Sequence, residues 1–287
     1  MPLSNMCAAL YGKYYPICSD ILKEQKQQLD KIYLDYNIRS YYSNIDKKLI
    51  SIAPMSLCCS VLEDLGKHPS KELLAGIGLI CFHISLHDDI VDEHPMDRGN
   101  RASLLYTGNI LMAEGIKIFI DYSYLSILQV VLDLLKQNHM YQRRVVDLLW
   151  ADKQPTINDY EEGIKHIHSF SAIGPMAALL FANAAKKQDI IDNFSVQYGV
   201  ALQYLDDLSE IDEDVKNKYW SLPRILSNIE GSQDKITHID VKNKLIKKLK
   251  IKGKKRINNA LSSLPSNWIN TRYLVKNLGD AIKEFSY

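Results

Sequence analysis

Residues 86–95 read LHDDIVDEHP, and they follow the longest apolar run of the chain, Leu73–Phe82. A bilayer-spanning helix takes roughly 18 to 20 apolar residues, so this shorter run predicts a helix buried in a protein core. On a helix, residues i and i+4 share a face, which places Asp88 above Asp92. With Asp89 they form a D-D-x-x-D array at the point where the helix leaves the core.

A second array of the same kind lies 118 residues later, in LQYLDDLSE at 202–210. Here Asp206 lies above Glu210, and Asp207 is adjacent. Like charges at this spacing repel each other, which is a local cost unless a cation lies between them. Mg²⁺ prefers oxygen ligands and often binds carboxylates together with substrate phosphates. Two such arrays facing each other across a cavity would hold metal ions and a diphosphate, whereas either array alone is also typical of a solvated acidic helix end.

The rest of the chain favours helices. Only 13 Gly and 9 Pro occur among 287 residues, and the hydrophobic fraction of 46% is ordinary for a globular protein. Apolar residues recur at helical spacing in four segments, 19–35, 109–137, 141–151 and 195–214. Loops are expected at 65–71, 94–102, 152–159, 186–190 and 215–223. Clear alternating strand patterns are missing, so we expect an all-α fold with one domain over residues 1–287.

Charge and cysteine content narrow the function classes. Lys and Arg number 35 against 34 Asp and Glu, so the net charge of +1 gives no global field that would favour nucleic acid or an acidic membrane. The five cysteines are odd in number and form no C-x-x-C motif, so neither a disulfide framework nor a zinc site is expected. Because the N-terminal residues also lack the pattern of a signal peptide, we expect a soluble, cytoplasmic protein.

Two further segments leave alternatives open. Gly174-Pro175 falls inside an apolar stretch and predicts a kink or break, either at a tight helix crossing or in a broken helix that faces a cavity. Residues 242–256 contain nine Lys and Arg and no acid. This basic run is either a solvated helix face or a surface for weak association with membranes. Leu245, Ile246, Leu249 and Ile257 are expected to form its core-facing stripe.

The two arrays together resemble the trans-isoprenyl diphosphate synthase (polyprenyl synthetase) family. The likeness is carried by LHDDIVDEHPMDRG at 86–99, LQYLDDLSE at 202–210 and SLP at 221–223, and it covers about residues 40–225 in the family's order. It implies the isoprenoid synthase fold, with long helices around a deep apolar pocket and two facing Asp-rich motifs. It also implies an allylic prenyl diphosphate substrate, three Mg²⁺ ions bridged by the diphosphate, and a homodimer.

The resemblance also implies roles for individual residues. The metal ligands, which are also the catalytic acids, would be Asp88, Asp89, Asp92, Asp206, Asp207 and Glu210. Contacts to diphosphate would come from Lys47, Arg98, Lys216 and Lys218, although the last two also fit a solvated basic loop.

In the family, the positions four and five residues before the first Asp line the floor of the pocket. Here they are Ile84 and His83, which lie roughly 6–7.5 Å below Asp88 on a helix that rises about 1.5 Å per residue. If these bulky side chains point inward, they limit the prenyl tail to about ten to fifteen carbons by analogy with the family. The alternative for His83 is a core histidine with satisfied hydrogen bonds. Tyr160, Tyr198 and Tyr204 are likewise assigned to the core or to the cavity wall.

Departures from the family pattern concern the second diphosphate site. The usual arginine pair after the first array reads Asp97-Arg98, and Ile50 replaces the N-terminal arginine beside Lys47. Cys81 stands where the family has a His or Gln. Two cations are few for binding a diphosphate. The sequence therefore favours an enzyme that ionises an allylic diphosphate and passes the cation to another acceptor, with a terpene cyclase or a non-catalytic partner subunit as alternatives.

Overall fold

The computed structural model describes residues 8–32, 49–91, 98–149, 151, 153–164, 166–209, 211, 220–229 and 239–285. Most of these residues lie in helices, and none lies in a strand. The helices are α1 (Tyr14–Ile32), α2 (Leu49–Asp64), α3 (Lys71–Val91), α4 (Arg98–Asp121), α5 (Leu125–Leu149), α6 (Ile157–Gly163), α7 (His166–Phe181), α8 (Gln188–Ser209), α9 (Leu222–Ile229), α10 (Ile239–Ser263) and α11 (Ile269–Glu284), with a 3₁₀ turn at Ala185–Lys187. The predicted all-α class is confirmed.

The chain divides into two compact units, each built from three separate segments. The first unit comprises Met1–Leu132, Ile173–Gln188 and Asn267–Leu274. The second comprises Asp133–Ala172, Asp189–Ser266 and Val275–Tyr287. A single domain over residues 1–287 stays a prediction.

In the first unit, α3 lies among α1, α2 and α4. Residues 73–86 are buried without exception, which is the pattern of a helix covered on every side. The apolar run read from the sequence therefore places α3 in the core, and Asp88 and Asp89 lie in its last turn. Among the described residues, no helix is both long enough and apolar enough to cross a membrane.

The Gly174-Pro175 pair marks a close helix crossing. Helix α7 continues through Pro175, so the predicted break is wrong. A Cβ atom placed on Gly174 would lie 1.8 Å from the carbonyl oxygen of Pro54 in α2. Only a residue without a side chain fits this approach, which supports the crossing over the broken helix.

Asp64, the last residue of α2, caps the N-terminus of α11. Its carboxylate accepts hydrogen bonds from the backbone N–H groups of Asn270 and Thr271 at 2.9 and 2.8 Å. The Asn270 amide and the Thr271 hydroxyl add bonds at 3.0 and 2.8 Å. These donors include N–H groups that have no partner within their own helix, so a single carboxylate fixes where α11 begins.

Several boundaries differ from the sequence prediction. Helix α1 begins at Tyr14 rather than near residue 19, with Pro16 in its first turn, where proline is tolerated. The segment 109–137 is not one helix, because α4 ends at Asp121 and Ser123 adopts a positive φ of 59° before α5. The loop expected at 186–190 is helical, since its polar residues form the 3₁₀ turn and the start of α8.

In the second unit, α9 packs against α6 and α10. Three members of the predicted stripe on α10 are buried, with Leu245 and Leu249 at 0% exposure and Ile257 at 5%. Ile246 is half-buried and lines a groove instead. The basic run 242–256 thus belongs to a helix that is anchored on one face.

Candidate active site

The first acidic array begins in the last turn of α3, which ends at Val91. For Asp88 and Asp89 the structure describes the backbone alone, and Asp92 lies outside the described residues. The turns of α3 before this point are buried, from residue 73 to residue 86. That the acids of the first array lie at the mouth of the core stays a prediction.

His83 and Ile84 are buried one turn before Asp88, at 2% and 1% exposure. The imidazole rings of His83 and His87 lie against each other, with their centroids 4.1 Å apart. A Cβ on Gly108 of α4 would lie 3.2 Å from His83 Nδ1 and 3.2 Å from His87 Cδ2. Both rings therefore pack against the α4 backbone, which supports a core role for His83. Its limit on the length of a prenyl tail stays a prediction.

The second array lies in the last turn of α8, and its two aspartates differ in environment. Asp206 is exposed, whereas Asp207 is only 3% exposed. Glu210 lies outside the described residues. Burying a carboxylate is costly unless hydrogen bonds or a cation compensate, so Asp207 is the acid whose partners matter most.

Tyr160 of α6 holds the carboxylate of Asp207. Its hydroxyl lies 2.9 Å from Oδ1 and 3.0 Å from Oδ2. Gln203, one turn earlier on α8, donates its side-chain amide to Asp206 Oδ2 at 3.1 Å and to Asp207 Oδ1 at 3.3 Å. Sequence analysis assigned Tyr160 only to the core or cavity wall and missed Gln203. The signal for Gln203 was its spacing of three and four residues from the two acids.

A capping box fixes the start of the short helix that carries Tyr160. The Thr156 hydroxyl accepts from the Asp159 backbone N–H at 3.1 Å, and the Thr156 backbone N–H donates to Asp159 Oδ2 at 2.8 Å. Hydrogen bonds from the hydroxyl and the backbone of Thr156 lower the pKa of Asp159. This reciprocal pair satisfies two backbone N–H groups at the first turn and so sets the position of Tyr160 in the next residue.

Glu161 anchors the same helix to α10. Its carboxylate accepts from Lys252 Nζ at 2.6 Å, from Arg256 Nη2 at 3.2 Å and from the Tyr204 hydroxyl at 3.0 Å. Burial raises the pKa of Glu161, but the hydrogen bonds and positive charges of Lys252 and Arg256 outweigh it, so the pKa lies below its usual value. Residues 160 and 161 thus connect α6 to the acidic end of α8 and to α10.

The described donors suit a hard cation. Asp206 and Asp207 offer carboxylate oxygens, and the set contains neither sulfur nor imidazole among its described members. Oxygen ligands of this kind select Mg²⁺, Ca²⁺ or Mn²⁺ rather than soft metals.

The structure gives less detail for the four predicted cationic contacts of the diphosphate. Arg98 is the first residue of α4, and the structure describes its backbone alone. Lys47, Lys216 and Lys218 lie outside the described residues. Since the two arrays belong to different units, their facing each other across a cavity stays a prediction.

Comparison with known proteins agrees with the helical architecture. A family model described as polyprenyl synthetase matches residues 38–219. The structure is similar to geranyltranstransferase from Thermotoga maritima, with a TM-score of 0.68 at 17% identity over 93% of this chain and 99% of the other. It is also similar to a geranylgeranyl pyrophosphate synthase from Lactobacillus brevis, with a TM-score of 0.71 at 18% identity over 93% and 96%.

A third similar structure is a polyprenyl synthase from Caulobacter crescentus, with a TM-score of 0.73 at 14% identity over 99% and 98% of the two chains. That protein is complexed with calcium and isoprenyl diphosphate. The search of curated proteins found no match. At these identities the solved structures establish the fold, and the family match covers the segment that contains both acidic arrays.

Proposed function

The chain belongs to the polyprenyl synthetase family and is a prenyltransferase of isoprenoid biosynthesis, and we propose that it ionises a short allylic prenyl diphosphate and transfers the prenyl cation to an acceptor. The observation that carries this proposal is the pair of acidic helix ends, one of which has a buried aspartate held by Tyr160. The proposed tail has about ten to fifteen carbons, which rests on His83 and Ile84 lying one helical turn below Asp88.

We propose that six acids hold the metal: Asp88, Asp89, Asp92, Asp206, Asp207 and Glu210. Magnesium, when bound, supplies positive charge that stabilises the departing diphosphate. Tyr160 and Gln203 orient the carboxylates of the second array, so that little reorganisation is needed when charge develops. Lys47, Arg98, Lys216 and Lys218 are the proposed cationic contacts of the diphosphate.

The surroundings of Cys81 bear on the acceptor. Cys81 occupies the position of a family contact to the second diphosphate, and its side chain is fully buried. The thiol is a weaker hydrogen-bond donor than the His or Gln that the family has at this position. This supports an acceptor other than isopentenyl diphosphate.

Further parts of the proposal concern the state of the protein. We propose three Mg²⁺ ions bridged by the diphosphate, a homodimer in the cytoplasm, and weak association with a membrane surface. The calcium and isoprenyl diphosphate in the similar Caulobacter crescentus structure support the first part. Four buried free cysteines, Cys18, Cys58, Cys59 and Cys81, agree with a reducing compartment.

The test is release of inorganic diphosphate from geranyl, farnesyl and geranylgeranyl diphosphates, with and without Mg²⁺ and with and without isopentenyl diphosphate. We expect Mg²⁺-dependent release from the two shorter substrates. Asp88→Asn and Asp206→Asn should each abolish that release, because each removes a charged metal ligand. Asp121→Asn on α4 and Asp192→Asn on α8 change aspartates that belong to neither acidic motif, so they serve as matched controls and should leave release unchanged.

Products distinguish the acceptors. Longer prenyl diphosphates would show that isopentenyl diphosphate is the acceptor, and hydrocarbons would show internal cyclisation. If none of the three substrates releases diphosphate in the presence of Mg²⁺, the proposed function is wrong.

A further inference from the structure

A groove of about 680 Å³ lies between α10 and α11, beyond the segment matched by the family model. Five lysines surround it, and the single acid among its lining residues is Asp280, which leaves an excess of four positive charges. The lysines are Lys247, Lys250, Lys254, Lys276 and Lys283. Its apolar surface comes from isoleucines of both helices, including Ile251 and Ile282.

The structure divides the basic run of α10 into two groups. Lys252 and Arg256 point to Glu161 and are neutralised there at 2.6 and 3.2 Å. Lys247 and Lys254 are exposed and line the groove instead. The first group is paired within the fold, whereas Lys247 and Lys254 present their charge along the groove.

The two helices hold the groove lysines in place. Lys250 Nζ donates to the backbone carbonyl of Lys283 at 2.9 Å and so links α10 to α11 across the groove. Ile282 lies under this link at 1% exposure, with its Cγ2 atom 3.0 Å from where a Cβ on Gly253 would lie. The groove is therefore a defined surface of close helix packing, in which like charges are kept near one another.

Next to these lysines an isoleucine side chain is exposed to solvent. Ile251 is 61% exposed and lies on the same face of α10 as Lys247 and Lys254. Lysines combined with an exposed aliphatic side chain match the boundary of a bilayer, where ammonium groups meet lipid phosphates and an apolar group enters the acyl region. An acidic soluble partner would match the lysines but would leave Ile251 without a role.

We propose that the α10–α11 groove docks the protein on the surface of an anionic lipid bilayer, with its lysines on lipid phosphates and Ile251 inserted at the interface. The proposal deepens the weak membrane association named above. Its biological purpose rests on the proposed function, since an amphiphilic prenyl diphosphate partitions to such a surface. The binding itself depends only on the groove.

The test is co-sedimentation of the full chain with vesicles of phosphatidylcholine alone and of phosphatidylcholine mixed with phosphatidylglycerol. We expect binding to the mixed vesicles alone, and we expect it to weaken as salt is raised. Each lysine near an anionic surface contributes about 1 kcal/mol. Replacing Lys247, Lys254, Lys276 and Lys283 by Gln should therefore weaken binding by about a thousandfold.

The matched control replaces four exposed lysines outside the groove by Gln and changes the net charge equally: Lys67, Lys117, Lys136 and Lys186. This control should retain most of the binding, and Ile251→Ser should lose several-fold. Equal loss in the control, equal binding to neutral vesicles, or no binding at all would overturn the proposal. Binding to a polyglutamate peptide that is unchanged by Ile251→Ser, without vesicle binding, would assign the groove to an acidic protein instead.

Diphosphate release measured without vesicles distinguishes a failure of the docking proposal from a failure of the proposed function. The groove variant should release diphosphate at the rate of the unmodified protein, because the groove lysines lie outside both acidic arrays. A groove variant that loses vesicle binding and keeps release supports the docking site. Vesicle binding by a protein that releases no diphosphate would refute the proposed function and leave the docking surface standing.

Discussion

The Tyr160 hydroxyl donates to the carboxylate of Asp207, 2.9 Å from one oxygen and 3.0 Å from the other. Both residues are buried, at 4% and 3% exposure. A hydrogen bond to a charged group contributes about 1.5–3 kcal/mol, and more is lost when a buried charge is left without its partner. The position of the acid therefore depends on a residue outside the acidic motif.

Tyr160→Phe should raise the Mg²⁺ concentration needed for half-maximal diphosphate release, lower the maximal rate, or do both. Removing the hydroxyl leaves the Asp207 carboxylate less well oriented, and loss of such a supporting contact typically costs 10- to 100-fold in metal affinity or activity. The measurement is the Mg²⁺ concentration that gives half-maximal release, together with the maximal rate.

Tyr124→Phe is the matched control for this change. It removes a phenol hydroxyl that is hydrogen-bonded to Ser70 at 3.0 Å, in the unit that does not contain Asp207. The control should leave the Mg²⁺ requirement unchanged. If both variants behave alike, Tyr160 acts only in packing and not in positioning the acid.

Glu161 should contribute stability that depends on pH. Its folded-state pKa is lowered because Lys252 and Arg256 outweigh the effect of burial. The contribution is therefore complete above the pKa of the unfolded state, about 4.3, and is lost as the pH falls through the lower folded-state pKa. Glu161→Gln should reduce the free energy of unfolding by about 1 kcal/mol at pH 7.

Urea unfolding at pH 7 and at pH values below 4 tests this. The difference in unfolding free energy between the unmodified protein and Glu161→Gln should shrink as the pH falls. Glu284→Gln, at an exposed position at the end of α11, should show a small difference that does not vary with pH. A gap for Glu161→Gln that is constant from pH 7 to pH 3 would contradict the assignment.

The fold could be predicted because its signals are local. The apolar run of α3 predicts a helix that is buried on every side, because residues 73–86 are apolar or glycine at every position except His83 and Ser85. The boundary between α4 and α5 was not predictable in this way. It depends on Ser123 adopting a positive φ of 59°. The presence of a serine in the sequence does not predict this conformation.

Only the charged residues of the candidate site could be proposed from the sequence. The spacing of Asp206 and Asp207 predicts that they are metal ligands. Tyr160, in contrast, lies 47 residues from Asp207 in sequence and reaches it through tertiary packing. A buried tyrosine looks the same in sequence whether its hydroxyl meets a carboxylate or a backbone carbonyl. The two roles of the basic run on α10 were hidden for the same reason, because Glu161 lies 91 residues before Lys252.

The buried cysteines should be unreactive in the folded protein. Burial raises the pKa of Cys58 and Cys81, and a hydrogen bond with Cys18, together with burial, raises that of Cys59. The thiolate is the reactive form, so a raised pKa and lack of access both slow the reaction.

A Cys7→Ser background tests this, because Cys18, Cys58, Cys59 and Cys81 are then the remaining thiols of the protein. In that background a disulfide reagent at pH 8 should modify no thiol within minutes, and all four thiols should react once the protein is unfolded in guanidinium. Rapid modification of the folded protein would show that part of this core opens readily.

Gly174→Ala tests the close crossing of α7 and α2, because the crossing decides whether the substitution raises or lowers the stability of the protein. In a helix interior Ala is favoured over Gly by about 1 kcal/mol, so a free position would be stabilised. Here the added Cβ would lie 1.8 Å from the Pro54 carbonyl oxygen, and overpacking of this kind costs about 1–3 kcal/mol or more. We therefore expect a lower melting temperature or a loss of soluble protein.

Gly279→Ala is the control, because its nearest neighbour is a methyl group of Ile257 at 3.0 Å that can move. The control should stay within about 1 kcal/mol of the unmodified protein, and a melting temperature raised by Gly174→Ala would show that the two helices are not in close contact.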